Sequence, residues 1–227
     1  MNKLIFAVLL ISGLVHPRLN AQQLTVADEK IDSTGINNSP KWFFGLNGGY
    51  GQRLYRSGMQ VKRADINYHR NLKSGIFFGG ELGYFPWKKV GIGLKYDRYQ
   101  SKAETEKLSE DVTIQFMGAS LIHRAPLGSS RTSVLTSLLL GYQPYQNNTV
   151  SGEDGFTFRG KTMGWGISVG LERRLSRKFA IHLTGTAIMG AAYRLTRETA
   201  FSTETLKLSK DDSVDLSRAS VTLGFRF

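Results

Sequence analysis

Four histidines, His16, His69, His123 and His182, and a complete absence of cysteine bound the acid–base and nucleophilic chemistry open to this chain. Imidazole is the side chain that exchanges a proton near neutral pH. His16 ends an amino-terminal apolar run, so His69, His123 and His182 mark where a general base could stand. In "HLT", His182 and Thr184 are two residues apart and would share one face of a strand. A hydroxyl nucleophile also needs an orienting acid and oxyanion donors, and the sequence does not assemble them around any histidine, so no catalytic residue is expected. The lack of cysteine excludes thiol nucleophiles, thiolate zinc sites, disulfides and a lipid-modified amino-terminal Cys. The remaining His, Asp and Glu residues show no metal-ligand spacing. "GWGISVG", residues 164–170, lacks the helix and acidic residue that would make it a dinucleotide site. Neither metal nor cofactor is expected.

Two sets of charges remain. Glu81, Lys95, Asp97, Glu172, Arg218 and Arg226 lie inside glycine-rich alternating segments. If those segments are buried, the charges must pair to be tolerable. Arg53, Arg56, Lys62, Arg63, Arg70 and Lys73 cluster in one polar stretch against a single acid, Asp65. Such a cluster suits either an anionic partner or plain solvation.

The elements that must position these residues are strands. Eight segments alternate apolar and polar residues: 41–55, 74–85, 89–101, 111–124, 132–146, 156–175, 178–196 and 214–227. No stretch from residue 22 onward has a helical period. The connections 86–89, 125–131 and 176–177 are short, whereas 56–73, 102–110, 147–155 and 197–213 are longer and polar. Short turns at one end and long loops at the other mark a membrane barrel. In the third segment Val90, Ile92, Leu94 and Tyr96 oppose Gly91, Gly93, Lys95 and Asp97. In the seventh, Phe179, Ile181, Leu183, Ala187 and Met189 oppose His182, Thr184, Thr186 and Arg194. The polar set is too small and glycine-rich to face water. Apolar residues therefore face lipid, polar ones fill a narrow lumen, and closure satisfies every backbone group. If "PWKK" turns the second strand into the third, Glu81 stands opposite Lys95 and Gly83 opposite Gly93. Trp42, Phe44, Tyr84, Trp87, Phe179, Phe225 and Phe227 would line the short-turn interface. Tyr50, Tyr55, Tyr99, Tyr142, Tyr145 and Tyr193 would line the other. The expected fold is an all-β, eight-stranded, antiparallel up-and-down transmembrane barrel; a turn hidden in the long sixth segment would make it ten-stranded.

The two ends carry different signals. Lys3, the apolar run Leu4 to Val15 and the polar stretch after Ala21 read as a signal peptide over residues 1–21, followed by a flexible periplasmic leader over 22–40 and the barrel over 41–227. Cleavage there lowers the formal charge from +12 to about +10. The chain closes on "VTLGFRF", in which Val221, Leu223, Phe225 and Phe227 alternate with small or polar residues. This terminal strand resembles the assembly signal of outer-membrane β-barrels. "GLNGGYG", "GGELGYF" and "VGIGLKYDRY" likewise resemble the small class typified by the OmpA membrane domain and OmpX. The resemblance implies the outer membrane of a Gram-negative cell, recognition of the last strand by the β-barrel assembly machinery, and a monomer among outer-membrane lipids and lipopolysaccharide. The basic cluster Arg53 to Lys73 would then meet lipopolysaccharide phosphates.

Function is expected to be non-enzymatic, with a structural, adhesive or surface-recognition role. The alternatives are a narrow ion or small-solute channel and a lipid-A-modifying enzyme. His182 and Thr184 resemble the His-x-Ser pair of the lipid A deacylase family, but with Thr for Ser and at the short-turn end. Basic residues scattered between both ends argue against nucleic acid.

Overall fold

The structure, a computed structural model, describes residues 41–55, 66–106, 108–128, 131–152, 154–176, 178–199, 201–209 and 212–227. The expected signal peptide and leader, together with Arg56, Lys62 and Arg63, lie outside them.

Strands β1 (Trp42–Arg53), β2 (Ser74–Tyr84), β3 (Val90–Glu104), β4 (Leu108–Pro126), β5 (Thr132–Ser151), β6 (Asp154–Arg174), β7 (Ala180–Met189) and β12 (Arg218–Arg226) form the barrel wall. Between them stand a helix, α1 (Ile66–Lys73), and four short strands, β8 (Ala191–Ala192), β9 (Arg194–Thr199), β10 (Thr203–Lys207) and β11 (Val214–Asp215). Each wall strand pairs antiparallel with its sequence neighbour. β12 pairs with both β7 and β1, closing eight strands into a ring. β6 is one uninterrupted strand of 21 residues, so no ninth or tenth wall strand forms. Closure removes the sheet edges that lipid would leave unpaired.

The alternation sets which side each residue faces. Leu46, Leu82, Leu94, Leu121, Leu138, Leu140, Val169, Leu171, Leu183 and Leu223 are all exposed on the outer face. Keeping one such side chain in water costs roughly 1.5–3 kcal/mol. Domain stability is only about 5–15 kcal/mol. A shell of this kind is therefore compatible with an apolar solvent and not with water. The outward apolar run on β6 extends from Met163 to Leu171, the length of roughly 9–11 residues that a tilted strand needs to cross a bilayer. Trp42 packs on Tyr84 with ring centroids 4.5 Å apart, and Phe179 lies 5.7 Å from Phe225 and 5.5 Å from Phe227, forming the short-turn aromatic band.

Several sequence expectations are corrected at the other end. Strands β4, β5 and β6 run 19, 20 and 21 residues, so they continue beyond the apolar band. The stretches 102–110 and 147–155 are therefore mostly strand rather than loop. Gly152, at φ 63°, makes the β5–β6 turn, a backbone conformation that glycine adopts without strain. Within the stretch expected to be a loop at 197–213, β10 pairs back on β9 as a hairpin. Between Trp165↔Met189 and Gly160↔Leu195 the seventh segment carries one residue more than β6, a bulge at Tyr193 and Arg194, which are both exposed between buried Ala192 and Leu195. This bulge reverses the parity beyond it, so Arg194 is exposed rather than lumenal. Of the six tyrosines expected there, Tyr99 and Tyr145 point inward and are buried and Tyr55 is half-buried, which leaves Tyr50, Tyr142 and Tyr193 exposed at the long-loop band, with Tyr96 exposed beside them.

The expected absence of helix also fails. α1 is polar overall, but Tyr68 and Leu72, four residues apart, lie on one side and are buried. They join Phe77, Tyr99, Val112, Ile114, Tyr145, Leu195 and Leu216 in an apolar cluster across the long-loop mouth. Packing, not propensity, holds a helix this short.

Candidate functional site

The lumen brings the expected charges together. Glu81 pairs in register with Lys95, and Gly83 with Gly93. On β12, Arg226 spans to two walls. Its Nη1 donates to Glu172 Oε2 at 2.8 Å, its Nε donates to Glu81 Oε1 at 2.7 Å, and Nη2 also contacts Glu81. Arg124 Nη2 lies 3.7 Å from Glu172 Oε1. The Arg124 guanidinium sits 3.9 Å above the Phe85 ring and that of Arg226 sits 4.3 Å above Phe43. Arg174 Nε also lies 3.9 Å from Glu172 Oε1, so two carboxylates, three guanidiniums and two aromatic rings fill the short-turn end. Desolvated cations gain from ring faces as well as from carboxylates. Close packing explains the glycine at 83: a Cβ there would collide with the Phe43 ring.

The other three charges stand deeper and do not join this cluster. Lys95 Nζ lies 3.6 Å from Asp97 Oδ1. Arg218 Nη1 donates to Gln143 Oε1 at 2.6 Å and to the Leu216 carbonyl at 3.3 Å. The six predicted charges therefore form three groups rather than one network. Sequence reasoning missed Arg124 and Gln143. Parity could have found both, since Arg124 alternates with Ser120 and Ile122, and Gln143 with Leu139 and Gly141.

The histidines occupy three separate places. His182 is buried in the lumen, its Nδ1 has no hydrogen-bond partner, and its ring fills the space over Gly224. His123 faces outward from β4 and is exposed, and His69 lies on α1 with its ring 5.8 Å from Tyr68. Thr184 shares the lumen with His182, and its carbonyl accepts from the Thr222 hydroxyl at 3.3 Å. Among the described residues no carboxylate hydrogen-bonds His182, and no cluster of three or more His, Asp or Glu side chains could hold a metal.

At the long-loop mouth, α1 is bonded down. Tyr68 donates to Glu110 Oε1 at 2.5 Å, and Asn147 Nδ2 donates to Glu110 Oε2 at 2.9 Å. Tyr99 donates to the Lys73 carbonyl at 2.7 Å and Ser101 to the Leu72 carbonyl at 2.9 Å. These two bonds satisfy carbonyls that a helix end leaves open. Burial, followed by the Glu110 carboxylate, pushes the Tyr68 phenol well above its ordinary range. Burial also raises the Tyr55 phenol.

Of the first-loop cations the described ones, Arg53, Arg70 and Lys73, take different places. Arg53 is buried in the mouth, donates to the Asp215 carbonyl at 3.2 Å and lies 4.4 Å over the Tyr55 ring. Lys73 approaches the same ring at 5.0 Å. Arg70 is exposed and donates to Asn67 Oδ1 at 3.1 Å. On the last strand, Val221, Leu223, Phe225 and Phe227 all face outward and are exposed. Phe227 N donates to the Phe44 carbonyl at 2.9 Å and Phe44 N to the Phe227 carbonyl at 3.1 Å, so the seam runs to the final residue.

No curated protein sequence matches the chain. Solved structures share the fold, among them the following. Neisserial surface protein A has 12% identity and a TM-score of 0.53, covering 82% of this chain and 96% of its own. Ail of Yersinia pestis has 15% identity and a TM-score of 0.50, covering 83% and 100%. A major outer membrane protein of Thermus thermophilus has 11% identity and a TM-score of 0.56, covering 82% and 98%. The outer membrane protein beta-barrel domain matches residues 39–227, the whole of the closed barrel. With its apolar shell outside, its charges paired within and its seam closed at the last residue, the chain belongs to the outer-membrane β-barrel domain family.

Proposed function

We propose that the chain is a non-conducting, non-enzymatic barrel of the Gram-negative outer membrane, exported by cleavage of residues 1–21. In this reading it acts as a monomer in envelope structure or surface recognition, with its long-loop end outward. The observation that carries the reading is that the lumen is filled at both ends. Arg226, Glu81, Glu172 and Arg124 fill the short-turn end, and the apolar cluster under α1 fills the mouth. Eight strands enclose little more than their own side chains, so no continuous water path is left. The last strand serves as the signal for the assembly machinery. An enzymatic role finds no support in the site, because His182 lies in the lumen and away from the lipid face. Ion leak from vesicles reconstituted with the folded protein tests the reading. Leak equal to that of protein-free vesicles is expected, and dye or salt efflux proportional to protein would contradict it. Lipid A of unchanged mass in cells with and without the protein is the matching expectation for the enzymatic alternative.

A narrow channel is the second reading, favoured by one observation. Both Asp97 carboxylate oxygens, His182 Nδ1, and Arg218 Nε and Nη2 are buried without a hydrogen-bonding protein partner. Such groups require water, so a hydrated chamber between the two plugs would become a pore if both plugs moved.

A further inference from the structure

On the outer face of the wall, just above the apolar band, the side chains fall into rows of distinct charge. The uppermost apolar row is Met117, Tyr142 and Met163, paired across β4, β5 and β6. Two residues along the strands, about 7 Å higher, Pro144 pairs with Lys161. The next row crosses five strands in unbroken register, Thr113↔Gln146↔Arg159↔Thr196↔Thr205. Only one row farther out do acids appear, as Asp111↔Asn148↔Thr157↔Glu198. The order away from the membrane is thus apolar, basic, acidic. The basic rows curve around a cleft of about 520 Å³ that Arg159, Lys161 and Arg194 line together with Gln146 and Tyr142, without any carboxylate.

Two details make this more than a solvated face. Arg194 stands directly opposite Lys207 in the β9–β10 register, an arrangement of like charges that destabilises a sheet unless an anion lies between them. Lys161 and Arg194 pair with no carboxylate among the described residues, whereas Arg159 is only bridged from above by Glu198 at 3.4 Å. The β7–β9 bulge is what swings Arg194 into this face.

We propose that this cleft holds the phosphate of a lipid headgroup in the leaflet that surrounds the long-loop end. Lys161 and Arg194 would be the principal contacts, with Arg159 and the Gln146 amide beside them. The cleft's floor at Tyr142 continues through its register partner Met163 into the acyl region, so the occupant is a phosphorylated lipid rather than a soluble anion. This rests on the membrane orientation proposed above and gives the lipopolysaccharide contact a location other than the first loop.

Native mass spectrometry of the full folded barrel in mixed micelles tests it, with lipid A carrying its phosphates against the same lipid A enzymatically dephosphorylated. Retention of the phosphorylated form about tenfold above the dephosphorylated form is expected. That comparison needs no variant. Lys161→Gln with Arg194→Gln should abolish the preference while the unboiled protein still migrates fast on a gel, and Lys161→Arg should keep it. Equal retention of both lipids, or a preference unchanged in the double variant, would overturn the proposal. So would complete displacement by millimolar inorganic phosphate, which would mark a soluble anion as the occupant. A conducting barrel would contradict the closed-lumen reading and leave this preference intact, so the two can fail separately.

Discussion

Arg226 and Glu172, 54 residues apart in sequence, meet inside the barrel at 2.8 Å. The same guanidinium takes Glu81 from the opposite side, so one cation holds two buried carboxylates. Removing it takes the hydrogen-bonded cation from buried Glu81 and leaves Glu172 with only the longer Arg124 and Arg174 contacts, whereas neutralising one carboxylate leaves a hydrogen bond behind. Arg226→Met should therefore destabilise the folded barrel by about 3–5 kcal/mol. Glu172→Gln should cost distinctly less. Urea titration of the unboiled gel band reads both, and equal midpoints for the two variants would contradict the assignment.

Gly83 and Phe43 face each other across β1 and β2. Because the ring occupies the space a Cβ would need, Gly83→Val should cost about 1–3 kcal/mol by overpacking. Phe43→Ala should return part of that loss in the double variant, since the collision disappears. A strictly additive double-variant cycle by urea unfolding would argue that the two sites do not touch.

The Phe44–Phe227 seam bears on assembly. Deleting Phe227 removes both of its backbone hydrogen bonds, each worth about 0.5–1.5 kcal/mol, and the aromatic contact with Phe179. Phe227→Tyr keeps all of these. The deletion should lower the membrane-inserted, heat-modifiable fraction of the protein, and the tyrosine variant should not. Equal insertion of the two would separate the terminal residue from barrel closure.

Much of this arrangement is legible in sequence because a closed wall converts parity into position. Glu81 opposite Lys95 follows from "PWKK" as a turn, and the inward parity of Arg218 and Arg226 follows from Val221, Leu223 and Phe225 outside. Legibility ends where the alternation is broken or silent. The bulge at Tyr193 and Arg194 shifts parity without any change of composition, which is why Arg194 reads as lumenal. Aromatic type does not say which side of a wall a ring takes: Tyr99 shares the parity of Lys95 and Asp97, and is buried with them. α1 offers only Tyr68 and Leu72 as an apolar face, too little to signal a helix before the mouth that receives it is known. The three groupings of lumenal charge depend on side-chain reach across the barrel, which spacing along the chain does not encode.

Docking of α1 carries a pH dependence. The Tyr68 phenol is held above its ordinary pKa of about 10. The folded state thus binds the proton more tightly than the unfolded one. Its contribution is full below about pH 10 and is lost as pH rises through the higher folded value. Amide exchange in α1 should accelerate above that pH in the wild type. In Tyr68→Phe it should be faster at neutral pH and lack the alkaline step. An alkaline step that persists in the phenylalanine variant would assign it to another group.

Single-channel recording of the folded, full-length protein in a planar bilayer tests the closed lumen most directly. The account predicts a silent barrel in the wild type. A steady ohmic conductance from the wild type, scaling with inserted molecules, would mean that water passes both the Arg226 cluster and the mouth beneath α1, and the closed-barrel reading would be wrong.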